Sequence, residues 1–522
     1  MNIVIVGGGS AGWMSAALLI KEFPTHNITV VESPDVPIIG VGESTINGLR
    51  QFCNYLDLDE KDFLAFTDGS YKLSIKFTDF LEKDSGGFLY PFGIPETSGT
   101  TFGLNDWLIK KYAWPETPLS DFAECYSPQA LMCRNNKFFK NPDYSIMQSY
   151  DSNLGLAYHF DATKFGAWLR EKYSVPRGVK HIAATVNDVV AEGENVTKLV
   201  LSTGEELTAD LFVDCTGFKS LLLDKTLNEP FIDYTDMLPN NKAWATRVPY
   251  VDKEKELEPY TNCTAIDNGW VWNIPLWSRL GTGYVYSDKF VSDDEALEQY
   301  KQYLQSDKMT VPRTKEQIDE LEFKNITMRV GIHERTFVGN VVAIGLSAGF
   351  IEPLESSGLY TVHQFLFELI RALGRGEPTP WDKSAYNRAT FKMFNEFAEF
   401  VAMHYSLSRR QDTEYWRACF NKDYFATSKH REPYSSFEAV VDSRSFTHIT
   451  PETGGYAWIQ VGLNYLPLDS IAARLGEMER PASYDVYYGK EIEFLNKRKD
   501  YWLSIINQQS SLYEYLRDNV YT

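Results

Sequence analysis

Three apolar segments, far apart along the chain, each run into a glycine-containing turn. Asn2 to Val6 reads as a fully buried strand entering Gly7-Gly8-Gly9-Ser10-Ala11-Gly12. Trp13 to Phe23 then carries helical spacing, and Ile28 to Val31 reads as a second strand ending at Glu32. Glu206 to Val213 predicts another strand, entering Asp214-Cys215-Thr216-Gly217, and Asn340 to Ile344 a late one, entering Gly345-Leu346-Ser347. Glycine exits near residues 6, 214 and 345 fit one nucleotide-binding sheet interrupted by long insertions, not a linear series of domains. The insertions, about 71–155 and 220–330, are rich in aromatics and predict a second layer containing a sheet. From about residue 358 the periodicity turns helical. Leu359, Val362, Leu366, Leu369, Ile370 and Leu373 share one face of a helix ending near Gly374.

Composition narrows the class. The length of 522 residues allows about three domain-sized units. Fifty-one Lys and Arg against 71 Asp and Glu leave a charge of −20, which argues against nucleic acid and anionic membrane surfaces as partners. No apolar run exceeds the five residues Ala16 to Ile20, so no spanning helix is expected. The first basic residue is Lys21 and the N-terminus leads straight into the glycine turn, unlike a secretory signal. Cys53, Cys125, Cys133, Cys215, Cys263 and Cys419 show no CxxC or metal-ligand spacing. They read as reduced, mostly buried thiols of a cytoplasmic protein without a metal site. The aromatic share of 14% suits a wide core or pockets for flat molecules.

Gly7, Gly9 and Gly12 stand in G-x-G-x-x-G register between a strand and a helix, and Glu32 follows Gly12 by 20 residues at a second strand end. This order gives a tight turn, close approach of backbone to a diphosphate, and an acid for a ribose hydroxyl. The Asp214-Cys215-Thr216-Gly217 and Gly345 segments favour FAD over a plain nicotinamide cofactor. No second glycine motif for NAD(P)H is evident.

Other segments are ambiguous by pattern. In Ser70 to Phe77, strand alternation puts Lys72, Ser74 and Lys76 on one face, which reads as two lysines on a solvated surface. In Ile351 to Gly358, Glu355 precedes Ser356 and Ser357, which read as helix N-caps. The same helix start, with no adjacent Lys or Arg, is also a seat for a small anion. Trp270-Val271-Trp272-Asn273-Ile274-Pro275 places two indoles on one strand face, either as core or as the wall of a site.

Taken together, these segments resemble the flavin-dependent halogenases of the tryptophan-halogenase family from Ile3 to about Trp416. The motifs are Gly7 to Met14, Gly40 to Thr45, Tyr71-Lys72 with Ile75-Lys76-Phe77, His159 to Ala162, Trp270 to Pro275, and Glu352 to Gly358. The resemblance implies an α/β fold with a FAD-binding, Rossmann-like sheet of the GR2 or hydroxylase type. Long insertions would form a second, substrate layer, with a mainly helical C-terminal part. The FAD-binding module would comprise 1–70, 156–219 and 330–370; the substrate-binding module 71–155, 220–329 and 371–522. Lys72 and Glu355 match the essential catalytic pair, and Ser357 and Gly358 the halide-binding positions. Cofactor contacts would come from Gly7, Gly9, Ser10, Ala11, Gly12, Glu32, Ser33, Ile39, Val41, Ser44, Val186, Leu346 and Leu359. Leu346 stands where related hydroxylases carry an Asp. Tyr90, Phe92, Trp270 and Trp272 would wall the site, with Tyr90 replacing a common histidine.

The implied reaction uses FADH2, oxygen and halide to make hypohalous acid, which Lys72 passes to an aromatic ring. Lys72 would either hydrogen-bond the oxidant or form a haloamine, the latter needing a neutral, buried amine. Glu355 would orient the oxidant or help remove the ring proton. A separate NAD(P)H-dependent flavin reductase is the expected partner, and a homodimer is admitted. A C-terminal clamp of paired tyrosines with a glutamate and Phe-Trp is not found between Trp416 and Tyr456. The substrate expectation therefore leans to a bare indole or a phenol. The rival readings are an aromatic monooxygenase of the same flavin fold and a non-catalytic flavoprotein.

Overall fold

The computed structural model describes residues 1–35, 42–101, 103–420, 451–466 and 481–522. Ile39, Val41 and most of the stretch between Trp416 and Tyr456 lie outside the described residues. The chain forms two units. The first comprises Met1–Gly69, His159–Ala245 and Lys324–Ala398; the second comprises Ser70–Tyr158, Thr246–Phe323 and Glu399–Thr522. Residues 220–245 and 371–398, assigned by sequence to the substrate-binding module, group with the first unit.

The first unit has a mixed α/β fold around a six-stranded sheet. Its strands run in the order Phe337–Val338, Val341–Ala343, Leu211–Asp214, Asn2–Val6, Asn27–Glu32, Lys180–Ala183. All neighbours are parallel except the first pair. Ile3 to Val6 is buried throughout, as expected for a central parallel strand covered on both faces. The strands preceding the three glycine turns thus lie side by side, as their spacing predicts. The expected strand Glu206 to Val213 is instead two. Glu206–Leu207 pairs with Asn195–Leu201, whereas Leu211–Asp214 enters the parallel sheet. Asp210 makes the break. Its backbone N–H donates to Asn2 O at 2.9 Å while its carboxylate accepts from Asn2 N–H at 2.7 Å. The late strand begins at Val341, because the Asn340 carboxamide turns aside to exchange hydrogen bonds with Val196. The amphipathic helix after Ser357 spans Gly358–Leu373, as the periodicity predicts.

In the second unit, strands Arg279–Tyr286, Gly269–Pro275, Tyr260–Ile266, Ser74–Thr78 and Gly87–Pro91 lie in that order. Their pairings are antiparallel except that Tyr260–Ile266 runs parallel to Ser74–Thr78. Gly269–Pro275 is an interior strand of this sheet, and every residue in it is buried. The expected continuous strand Ser70 to Phe77 breaks at Leu73. Leu73 N–H donates to Pro259 O at 2.8 Å and its carbonyl accepts from Phe92 N–H at 2.9 Å. The last helix, Leu512–Asn519, starts with a capping box between Ser511 and Glu514. All six cysteines are buried thiols outside any disulfide. Among the described residues no helix is long and apolar enough to cross a membrane.

Candidate functional site

In the first unit the glycine turn has the geometry its motif requires. Gly7 has φ +112°, and a Cβ there would stand 2.2 Å from the Cys215 carbonyl oxygen. A Cβ on Gly12 would meet the Gly7 carbonyl oxygen at 1.9 Å, so the helix Ser10–Glu22 packs onto the turn only without a side chain. Gly9 differs: a Cβ there would meet nothing within 4 Å. Gly9 is also the N-cap and supplies no side-chain cap. The first turn of this helix therefore begins beside open space, as a diphosphate cradle needs. These residues fit a dinucleotide cofactor.

The other glycine exits build this turn from behind. Cys215 N–H donates to Val6 O at 2.8 Å, and Ile344 N–H to Asp214 O at 2.9 Å. Gly345 has φ +75°, and its would-be Cβ lies 2.9 Å from Ala11 Cβ. The fully buried Asp214 carboxylate accepts from Thr216 N–H and Oγ1 and from the backbone N–H groups of Leu222 and Leu223. Asp214 is thus a structural knot. Ser10 Oγ donates to Ala162 O at 2.8 Å.

Glu32 ends its strand beside the turn; a Cβ on Gly8 would stand 2.1 Å from its carboxyl carbon. Its Oε2 lies 3.0 Å from His181 Nε2 and 3.5 Å from Arg170. Sequence reading missed these two partners, which come from distant segments and leave no local signal. Of the remaining sequence-assigned cofactor positions, Ser33 bonds Thr185 at 2.7 Å, while Val186 opens a three-stranded sheet. Leu346 sits half-buried in the turn Gly345–Ser347, and Leu359 is buried in the helix after Ser357.

The Glu355 segment departs from the capping expectation. Pro353–Glu355 form a short 3₁₀ turn, with Glu355 buried. Ser356 is left-handed at φ +57°, and its Oγ donates to Ser44 Oγ at 3.0 Å. Ser357 occupies the N-cap position of the helix Gly358–Leu373 but makes no side-chain cap hydrogen bond. Neither hydroxyl caps the helix. A Cβ on Gly358 would lie 2.9 Å from Glu43 Oε1, so a carboxylate borders this helix start. That is where the positive end of a helix favours negative charge. Glu43 was legible only as part of Gly42-Glu43-Ser44, and its position came from the fold.

In the second unit Lys72 is fully buried, as is Ser74. The solvated-face reading of this strand is therefore wrong for Lys72. The strand face is covered by other segments of the chain, which alternation along one strand does not reveal. Lys72 Nζ lies 5.0 Å from the centroid of the buried Phe92 ring, within cation–π range. Tyr90 is half-buried, its ring 5.9 Å from that of Phe92 and 6.3 Å from that of Phe400. Trp270 and Trp272 are buried with ring centroids 6.2 Å apart, and neither indole N–H has a hydrogen-bond partner among the described residues. Lys76 is only half-buried and lies over Tyr260 at 5.6 Å. The two lysines thus have different surroundings.

The sequence profile described as tryptophan halogenase matches residues 2–470 of the chain. The tryptophan 7-halogenase RebH of Lentzea aerocolonigenes is 32% identical over 547 aligned positions, which cover 99% of this chain and 98% of that one. The tryptophan 6-halogenase ThaL of Streptomyces albogriseolus is 36% identical over 80% of this chain and 78% of its own. Among solved structures, apo VirX1 aligns over 100% of this chain and 99% of its own, with a TM-score of 0.91 and 35% identity.

Proposed function

The chain belongs to the tryptophan-halogenase family and is a flavin-dependent halogenase, and on that premise we propose that it halogenates an electron-rich aromatic, an indole or a phenol, through Lys72 and Glu355. The observation that carries the assignment of Lys72 is its burial, with the ammonium set against Phe92. Out of bulk water the amine acts in a low-dielectric setting, where its electrostatic interactions are strengthened.

The cofactor is FAD, held at its diphosphate by the turn Gly7 to Gly12 and at its ribose by Glu32. Ser10, Ala11, Ser33, Ser44, Val186, Leu346 and Leu359 supply further contacts. Once reduced by a separate flavin reductase, the bound cofactor supplies the redox chemistry that turns oxygen and halide into hypohalous acid. Ser357 and the backbone N–H of Gly358 seat the halide at a helix start without a side-chain cap. Lys72 holds the oxidant, by hydrogen bond or as a haloamine, with the halogen directed at the ring. Glu355, a buried carboxylate, takes the proton that the ring loses. Trp270 and Trp272, with Tyr90 and Phe92, wall the site so that the aromatic substrate meets the oxidant and not the flavin. The enzyme acts in the cytoplasm.

The test is direct. The protein is incubated with FAD, a reductase, NADH, oxygen, bromide and a panel of indoles and phenols, and product masses are read. A bromine isotope doublet that disappears in Lys72→Ala, after subtraction of free-peroxide chemistry, is the expected result. A product heavier by one oxygen atom assigns an aromatic monooxygenase instead.

A further inference from the structure

The two carboxylate oxygens of Glu32, in the first unit, stand in different surroundings. Glu32 ends the strand Asn27–Glu32, and its carboxyl lies against the backbone of Gly8. Oε1 is the oxygen nearer the glycine turn: a Cβ on Gly8 would stand 2.5 Å from it. Among the described residues Oε1 accepts no hydrogen bond, whereas Oε2 lies 3.0 Å from His181 Nε2 and 3.5 Å from an Arg170 nitrogen. One oxygen is held and the other faces the turn.

Both partners are fixed by the elements that build the turn. His181 stands beside Val30 in the parallel pairing of Lys180–Ala183 with Asn27–Glu32, so it shares a sheet face with Glu32, two residues on. The buried Trp13, on the helix Ser10–Glu22, meets the imidazole edge-on with centroids 5.3 Å apart. Arg170 belongs to a π-helical stretch, Leu169–Ser174, that continues the helix Ala162–Trp168. Such widened turns are rare and recur at functional sites. The start of that helix is bound to the glycine turn: Ala162 O accepts from Ser10 Oγ, and a Cβ on Gly166 would lie 3.5 Å from Ser10 N. Arg170 also pairs with Glu171 at 2.7 Å, so its guanidinium bridges two carboxylates. A diphosphate in the cradle brings negative charge close to Glu32, and the guanidinium offsets that repulsion while it fixes the direction of the carboxylate.

We propose that Arg170 and His181 are positioning residues for the adenosine end of the cofactor: they hold Glu32 Oε2 so that Oε1 meets the ribose hydroxyls. The inference rests on the assignment of the ribose to Glu32, and its test separates the two without turnover. Isothermal titration of the full chain, freed of flavin, compares ADP with dideoxy-ADP, which keeps the base and diphosphate and lacks both ribose hydroxyls. Wild type binds ADP about tenfold or more tightly, as a hydrogen bond to a charged group allows. Glu32→Ala loses this preference. Arg170→Met combined with His181→Leu lowers it to about threefold or less. Both side chains are partly exposed, so the melting temperature stays near wild type. Arg170→Met alone lowers the preference less, and Arg170→Lys, which keeps a cation, retains it. A double variant with the full preference, beside a Glu32→Ala that has lost it, overturns the positioning role and leaves the ribose on Glu32. Equal preference in Arg170→Met and Arg170→Lys overturns it too. Full preference in Glu32→Ala, or none in wild type, takes the ribose away from Glu32 and the inference with it.

Discussion

The glycine turn of the first unit and the lysine strand of the second prepare for chemistry in opposite ways. At the turn the proposed contacts belong to the backbone. Gly7 and Gly12 are glycines because a side chain would strike the Cys215 or Gly7 carbonyl, whereas Gly9 is a glycine with nothing of the protein near it. Steric clash explains the first two, and the third stands beside open space where the proposed diphosphate fits. At the strand the proposed role belongs to a side chain, and its surroundings set it apart. Lys72 and Lys76 are four residues apart with the same local alternation, yet one is sealed and the other opens on a cleft. Backbone sites are written into residue types. Side-chain sites are written into what packs over them.

The sharpest way to break this comparison is Lys72→Ala. If burial prepares the amine for the oxidant, halogenation falls about a thousandfold, within the usual span for loss of a positioned proton donor. FAD binding and melting temperature stay near wild type. Loss of fold and flavin together would make Lys72 a structural residue instead. Lys76→Ala, by contrast, stays active.

How much was legible in the sequence follows the same division. The strands around the turn, the acid at position 32 and the helix after Ser357 are local patterns, and the fold keeps them with shifts of a few residues. The break at Asp210 was not legible, because it depends on Asn2, 208 positions away. Nor was the loss of capping at Ser356, whose hydroxyl goes to Ser44. The burial of Lys72 was invisible for a related reason: alternation reports which way a side chain points, not what covers it. The resemblance supplied what the pattern could not, by naming Lys72 against the solvated reading.

The turn itself can be split. Gly9→Leu fills open space, so the apo-protein melts as wild type while FAD affinity drops about a hundredfold, read by flavin fluorescence titration. Gly7→Ala meets a backbone carbonyl and an unfavourable φ, so it lowers stability by at least about 2 kcal/mol before any cofactor is added. A Gly9→Leu protein that stays yellow would remove the diphosphate from this turn.

Among the titratable side chains that the first unit buries is His363. It lies on the helix Gly358–Leu373, fully buried, among the rings of Phe52, Tyr360 and Phe367. Neither ring nitrogen has a hydrogen-bond partner among the described residues. Burial pushes its pKa down to about 3. The sign is fixed by linkage: between pH 3 and 6.5 the unfolded chain binds a proton that the folded chain refuses, so stability falls as pH falls through that window. At pH 5 this costs about 2 kcal/mol relative to neutral pH. Melting temperatures at pH 7 and pH 5 check it. Wild type should lose more on acidification than His363→Leu, whereas equal losses would mean that the ring is protonated without cost.

The smallest effect tests whether what packs on the lysine strand matters beyond burial. Tyr71, next to Lys72, stacks on Phe138 with centroids 4.7 Å apart. Tyr515 of the last helix meets both rings edge-on, at 6.0 Å from Tyr71 and 4.8 Å from Phe138. Phe138 N–H also donates to Ser510 O at 3.0 Å, which ties the start of that helix to the stack. The helix thus buttresses the strand that carries Lys72. Tyr515→Ala should lower kcat about fivefold with KM little changed, because the amine is held less firmly and not removed. Escaping hypohalous acid, caught by a soluble trap, should rise in proportion. Tyr515→Phe, which keeps the ring, should recover most of the activity. A fall in melting temperature with no change in the ratio of trapped oxidant to product would reduce the last helix to scaffold, and the covering of Lys72 would then act only by excluding water.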